Sequence, residues 1–261
     1  MGVVRSRKAQ LVSAQIRDND YLLKLSALLF ENHDLFKARF ISLNNQGFIN
    51  RKNIERILDF EKKKIHISFS LKWFLEATIA TVLLVVLFPL MIVVYLSLFV
   101  IQKKFPIFTQ ARVGVDYSVF KIYKFRTLSR DLKKIAVVEN AEYYPLKKAA
   151  SSDTRRFGYG SFLRKWKIDE LPQLINIIKG NMSFVGPRPF SLEDTICCPE
   201  KYKKRFEVKP GITGYWQAFH KNTIDYKKKF LFDSYYVKKK SILLDLLILL
   251  LTPYRVLKGE D

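Results

Sequence analysis

Residues 77–101 read ATIATVLLVVLFPLMIVVYLSLFVI, twenty-five positions without one charged side chain. As one helix the stretch measures about 38 Å, against about 30 Å of bilayer hydrocarbon, so it belongs in a membrane rather than in a soluble core. Pro89 stands at its midpoint, with twelve residues on each side. Proline removes one helical hydrogen bond and clashes with the preceding turn, at a cost of about 3 kcal/mol unless the helix bends. A helix broken there has arms of roughly 18 Å, each too short to cross alone. The flanks do not decide the topology. Lys62, Lys63, Lys64 and Lys72 precede the stretch, and Lys103, Lys104, Arg112 and Lys121 follow it. Equal basic flanks suit a re-entrant hairpin with both ends on an anionic leaflet, while an ordinary span with a tolerated proline stays open.

The rest of the chain is strongly basic. Among 261 residues, 46 Lys and Arg face 24 Asp and Glu, a net charge of +22. Residues 102–261 hold 32 of the cations against 16 acids, which points to an anionic partner: nucleic acid, lipid headgroups or a phosphorylated substrate. A hydrophobic share of 49% excludes general disorder. The two cysteines, Cys197 and Cys198, are neighbours and make no disulfide framework; His33, His66 and His220 are too scattered for a histidine-rich zinc site. No signal-peptide pattern follows the basic first ten residues.

Residues 1–66 read as an accessory, mostly helical region, with an amphipathic helix over Asn53–Phe60. Ile107–Thr127 reads as two strands about a Gly114-Val115-Asp116 turn, and residues 131–152 as a loop. A helical turn is expected over Ser161–Trp166. A longer helix follows from Asp169 to Gly180, its apolar residues Leu171, Leu174, Ile175 and Ile178 on one face. Gly186-Pro187-Arg188-Pro189 and Lys209-Pro210-Gly211 are constrained loops. The apolar run Ile242–Leu251 spans only about 15 Å as a helix, and suits an interfacial or core helix.

Several chemistries lack their motifs: there is no GxxxxGK[ST] loop, GxSxG elbow, HExxH or CxxC. What remains is the pair Asp169-Glu170, preceded closely by Arg155, Arg156, Arg164, Lys165 and Lys167. In one reading Asp169 caps the helix and Glu170 enriches its first turn. In the other the pair is catalytic. Adjacent carboxylates on a helix point about 100° apart and suit two roles, one attacking phosphorus or holding a divalent metal and the other acting as a base. Arg164, Arg188, Lys124 and Arg126 are then the cations that neutralise phosphate.

Five segments in order carry a resemblance: FPIFTQARVG (105–114), FKIYKFRT (120–127), FLRKWKIDELPQLINIIKGNMSFVGPRPF (162–190), VKPGITGYWQ (208–217) and DSYYVKKKSILLD (233–245). Together with the membrane stretch, the chain from about residue 70 onward resembles the bacterial sugar transferase family, the monotopic phosphoglycosyl transferases. The resemblance implies transfer of a sugar-1-phosphate from a nucleoside diphosphate sugar, usually a UDP-sugar, to undecaprenyl phosphate, with UMP released. By motif position it makes Asp169 the covalent nucleophile and magnesium contact, and Glu170 the second member of the pair. Arg164 and Arg188 match cations near the phosphates and nucleotide, and Lys124 and Arg126 match the family KFR segment. It implies an α/β, mainly helical fold: a membrane helix over 67–104 broken at Pro89, a compact cytoplasmic catalytic domain over 105–261, and amphipathic interfacial helices. The implied setting is the cytoplasmic face of the bacterial inner membrane, with Mg2+ as cofactor. The partners implied are the phospholipid bilayer and downstream glycosyltransferases, with no nucleic acid. Two departures stand out. Phe88-Pro89 replaces the family's common Ser-Pro, and Tyr215-Trp216 replaces smaller residues. A membrane-tethered nucleic-acid binder and a structural membrane-surface protein are the competing classes. The first lacks any helix-turn-helix, RNP or zinc-finger pattern, and the second has no use for a carboxylate pair beside phosphate-type loops.

Overall fold

The long apolar segment packs against both the hairpin and the short helices that follow it. The computed structural model describes residues 49–62, 70–128, 157–219 and 226–258. A first helix, α1, covers Arg51–Lys62, and the apolar stretch lies within α2, Leu71–Gln102, which has 32 residues. Ser70 caps its start, accepting from the Trp73 N–H, and Lys103 ends it in the left-handed conformation with its N–H donating to the Phe99 carbonyl. The helix continues through Pro89, so the expected break at that residue is not an interruption of the helix. A proline costs one rung of the ladder, and the rungs on either side still close. Thr78, Thr81 and Ser97 bond back to the carbonyls of Phe74, Ala77 and Val93, which satisfies their hydroxyls inside the helix.

Both halves of α2 pack on one folded body. Ala80 and Leu84 meet Phe120, Ile122, Leu174, Ile177 and Met182. Val94 and Leu98, with Met91 and Tyr95, meet Ile107, Phe125, Leu163 and Ile168. Near its two ends Glu76 accepts a hydrogen bond from the Ser183 hydroxyl, and Gln102 donates to the Arg126 carbonyl. The other side of the helix is an uninterrupted exposed apolar face that includes Val82, Val85, Phe88, Val93 and Val100.

After α2 the expected hairpin forms: β1, Ile107–Val113, pairs antiparallel with β2, Val119–Phe125, through a 3-10 turn over Val115–Tyr117. Side chains alternate along β2, so Phe120, Ile122 and Lys124 share one face, two in the core and the third at its edge. Helix α3, Gly158–Lys165, leads to a 3-10 turn over Ile168–Gln173 and then to α4, Leu174–Ile178. The single helix expected from Asp169 is therefore 3-10 first and α later, with Pro172 inside the tight part. It stops where expected, at Gly180, whose φ of 76° only glycine adopts freely.

Strand β3, Ser183–Val185, pairs in parallel with β4, Gly211–Thr213, and so joins the two constrained loops. Their backbones approach so closely that a Cβ on Gly211 would lie 2.1 Å from the Gly186 nitrogen. Short helices α5, Leu192–Ile196, and α6, Tyr215–Phe219, a 3-10 segment over Glu200–Glu207, and helices α7, Tyr226–Lys239, and α8, Ile242–Leu257, complete the described chain. Helices dominate, and among the described residues the strands form two two-stranded sheets. Helix α8 buries Ile248 against Val185, Ala218 and Tyr236, and exposes Leu243, Leu246, Leu250 and Leu257. Lys72 of α2 pairs with Asp245 of α8 at 2.8 Å.

Helix α1, expected to belong to an accessory region, is built into this body. Ile54 and Ile57 join Val113, Leu192, Phe206 and Phe230 in one core, Asn53 donates to the carbonyls of Thr195 and Cys198, and Arg56 pairs with Glu200 at 2.8 Å. The expectations for residues 1–48 and for the 131–152 loop fall outside the described residues.

Candidate active site

Asp169 and Glu170 are the second and third residues of the 3-10 turn, which Ile168 opens after Lys167, itself in the left-handed conformation at φ 58°. Successive residues of a 3-10 helix point about 120° apart, so the two carboxylates part at once. Both are buried, at 7% and 8% exposure. They meet opposite surroundings.

Glu170 Oε1 accepts from Lys124 Nζ at 2.6 Å and from Arg188 Nη2 at 2.9 Å. Burial alone would push its pKa up, but Arg188 and Lys124 together outweigh burial and hold it well below the usual carboxylate range. Burial draws the Lys124 ammonium down, and Glu170 opposes that; for Arg188 the neighbouring Glu170 charge dominates and raises the guanidinium pKa. Glu170 is thus an ionised carboxylate shared by two cations.

Among the described residues Asp169 has no such ion pair. Its Oδ1 is buried without a hydrogen bond. Burial first, and the Glu170 charge second, push its pKa from 3.8 up to about 6, against the pull of Lys124, Arg164 and Lys167. The capping reading of Asp169 fails on this geometry. The cap position belongs to Lys167, and no side chain caps the turn. A carboxylate oxygen buried without a hydrogen bond has acceptor capacity that nothing else in the described residues uses.

Of the other residues singled out from the sequence, Lys124 and Arg188 converge on Glu170, and Arg164, in the last turn of α3, lies within electrostatic reach of Asp169. Arg126 is engaged elsewhere. It donates to the carbonyls of Phe105 and Ile107 and lies over the Phe108 ring, bracing the start of β1. Two arginines that sequence reasoning passed over hold the loop that carries Arg188. Arg205 Nη2 donates to the Arg188 carbonyl at 2.6 Å, and Arg112 Nη1 to the Pro189 carbonyl at 3.2 Å.

The pair also fits a hard cation. Magnesium is usually held by one or two carboxylates and by phosphate oxygens of the substrate. Asp169 Oδ1 offers such an oxygen, and among the described residues no cluster of three or more carboxylate, imidazole or thiol groups forms a complete cage.

A family model described as "Bacterial sugar transferase" matches residues 67–259, a span that includes all five motifs. The chain is 41% identical over 155 residues to an uncharacterized sugar transferase of Bacillus subtilis, covering 59% of this chain and 70% of that protein. It is 36% identical over 201 residues to the undecaprenyl-phosphate galactose phosphotransferase of Salmonella typhimurium, covering 73% of this chain and 41% of the relative. It is 33% identical over 188 residues to the UDP-glucose:undecaprenyl-phosphate glucose-1-phosphate transferase of Escherichia coli, covering 69% of this chain and 39% of the relative. The chain therefore spans about two fifths of the last two proteins.

Proposed function

The chain belongs to the bacterial sugar transferase family, and from that premise we propose that it transfers a sugar-1-phosphate from a UDP-sugar to undecaprenyl phosphate and releases UMP. The observation that carries this reading is the split character of the carboxylate pair: Glu170 ionised between Lys124 and Arg188, Asp169 buried with a free oxygen. Adjacent titratable groups whose pKa values are driven apart suit two different chemical roles.

In the first half-reaction an Asp169 carboxylate oxygen attacks the phosphorus that bears the sugar. A new O–P bond forms, the P–O bond to the bridging oxygen breaks, and that oxygen leaves on UMP with the electron pair. With a pKa of about 6 Asp169 is ionised at neutral pH yet poorly solvated, which favours attack. The diphosphate is itself anionic, and Arg188, Lys124 and Arg164 provide positive charge on the side from which Asp169 approaches. Magnesium, held by Asp169 and the donor's own phosphate oxygens, would supply further neutralisation of the diphosphate. In the second half-reaction an oxygen of undecaprenyl phosphate attacks the same phosphorus. The acyl-phosphate bond breaks, Asp169 regains its carboxylate, and undecaprenyl diphosphate sugar is formed. Glu170 orients Lys124 and Arg188 throughout and helps to position the lipid phosphate.

The membrane arrangement follows from α2. A helix crossing the bilayer would put its two ends on opposite sides of about 30 Å of hydrocarbon. Here Glu76 and Gln102, near those ends, both bond to the same folded body. That supports a re-entrant, single-face placement of α2, with the exposed apolar face of α8 lying in the interface and the domain of residues 105–261 on the cytoplasmic side of the inner membrane. The product lipid would then pass to downstream glycosyltransferases of exopolysaccharide, capsule, O-antigen or glycoprotein assembly.

The test is UMP release across a panel of UDP-sugars. Enzyme with magnesium and donor alone should release UMP and carry the phosphosugar on Asp169, visible in the intact-protein mass, and undecaprenyl phosphate should discharge it. No adduct in active enzyme, together with substantial turnover by Asp169→Asn, would overturn the mechanism.

A further inference from the structure

We propose that Arg205 is a positioning residue for Arg188, acting through the backbone of the Pro187-Arg188-Pro189 loop; this rests on the transferase reading above. Arg188 reaches Glu170 from a side chain that is 47% exposed, so little packing orients it. Its aim depends on where the loop backbone holds its Cα. That backbone is poor in bonds of its own. Pro187 and Pro189 have no N–H to donate. The pairing of β3 and β4 holds the start of the loop, through Gly186 N–H to the Thr213 carbonyl and Gly211 N–H to the Pro187 carbonyl, each at 3.0 Å, and Val113 N–H holds the Phe190 carbonyl beyond it at 2.9 Å. The carbonyl of Arg188 itself is taken by Arg205 Nη2 at 2.6 Å, a charge-assisted distance.

Arg205 is in turn held rigidly. Its side chain is 3% exposed, Nη2 also pairs with Asp233 Oδ2 at 3.3 Å, and the guanidinium lies 3.1 Å from the centre of the Phe190 ring. Nη2 thus donates to the Arg188 carbonyl while ion-paired with Asp233, which links α7, through Asp233, to the carbonyl of the residue that holds Glu170. Arg112 braces the next carbonyl at the longer 3.2 Å and gives its better bond, 2.6 Å, to Gln110, so Arg205 is the main support of Arg188.

The experiment is a double-mutant cycle on the full chain in detergent, reading transfer of labelled sugar to undecaprenyl phosphate from whichever of UDP-glucose and UDP-galactose the wild type uses. Arg205→Lys keeps the charge beside Asp233 but shortens the reach to the Arg188 carbonyl. It should lower kcat/KM for the donor by about tenfold to a hundredfold, the usual loss for one charge-assisted bond. The KM for undecaprenyl phosphate should stay within about twofold. In an Arg188→Lys background the same change should add less than about twofold, because the group it positions is already gone. If Arg205→Lys does not fold, Phe190→Leu, which removes the ring under the guanidinium, should show a smaller loss with the same dependence on Arg188. Losses that multiply independently of Arg188, or a donor kcat/KM unchanged in Arg205→Lys, would overturn the proposal while leaving the transferase reading intact. A wild type that turns over no sugar nucleotide would sink that reading and this proposal with it.

Discussion

Asp169→Asn is expected to make the protein more stable at neutral pH while abolishing its activity. The folded chain holds Asp169 at a pKa of about 6 against 3.8 for the free side chain, chiefly through burial. Each unit corresponds to about 1.36 kcal/mol, so ionised Asp169 destabilises the fold by about 3 kcal/mol. With 7% of the residue exposed, solvent screening reduces this little. Asparagine keeps the shape and loses the charge, but leaves amide hydrogens unpaired at a cost of about 1–2 kcal/mol, for a net gain of about 1–2 kcal/mol. At about 2–4 °C per kcal/mol for a chain of this size, the apparent Tm should rise by about 2–8 °C. The sign with pH follows from the raised value. A carboxyl with a higher pKa folded than unfolded favours the fold when protonated, and that advantage is lost as pH climbs through about 6. The gain from asparagine should therefore be largest near pH 7.5, shrink below about pH 6, and vanish or reverse near pH 4. Thermal unfolding in detergent without divalent ions, followed by tryptophan fluorescence, measures it. A Tm lowered at pH 7.5, or a difference that does not change with pH, would mean that Asp169 is a satisfied, ionised carboxylate, and the reasoning would be refuted.

Glu170→Gln should leave Lys124 as a largely buried cation without its counter-charge, a loss of about 3 kcal/mol in stability, and should cut turnover by about a hundredfold or more as the link to Arg188 is lost with it. Because the Glu170 charge is one of the causes that raise Asp169, the acid limb of the first half-reaction, centred at about 6, should move to lower pH in this variant. Gly211→Ala should prevent folding, since its Cβ would meet the Gly186 nitrogen at 2.1 Å, whereas Gly158→Ala, with nothing within 4 Å, should fold normally; expression and melting curves compare them. His66→Cys and Lys104→Cys, each in a background lacking Cys197 and Cys198, should both be labelled from the cytoplasm alone, and periplasmic labelling at either would replace the re-entrant helix with a span.

The elements were legible where a local rule governs them. The Gly114-Val115-Asp116 turn, the alternation along β2 and the Gly180 stop are decided by residues within a few positions, and each stands where the pattern predicts. Pro89 was misleading in the direction of too much effect. One missing rung does not interrupt a helix of 32 residues when both halves are held by packing against Phe120, Ile177, Phe125 and Leu163. Those contacts join residues far apart in the chain, and no local rule reports them. The same holds for α1. Its amphipathic pattern was visible, but its partner surface, made by Val113, Leu192 and Phe206, was not.

The candidate site divides in the same way, and for a chemical reason. Asp169, Glu170, Lys124 and Arg188 stood out because side chains that act on phosphate fall into recognisable short motifs. What distinguishes the two carboxylates did not stand out. In the sequence Asp169 and Glu170 differ by one position in their distance from Lys165 and Lys167, and only the turn of the 3-10 backbone sends one between two cations and leaves the other with an unbonded oxygen. Arg205 and Arg112 were invisible for a further reason. They are two among 46 basic residues, and what they hold is a backbone carbonyl. Every residue but its own neighbours looks the same to a carbonyl-seeking guanidinium, so no spacing marks the pair. A proline-bounded loop short of donors is itself a sign that carbonyls must be held from outside, and in this basic chain the holders are arginines.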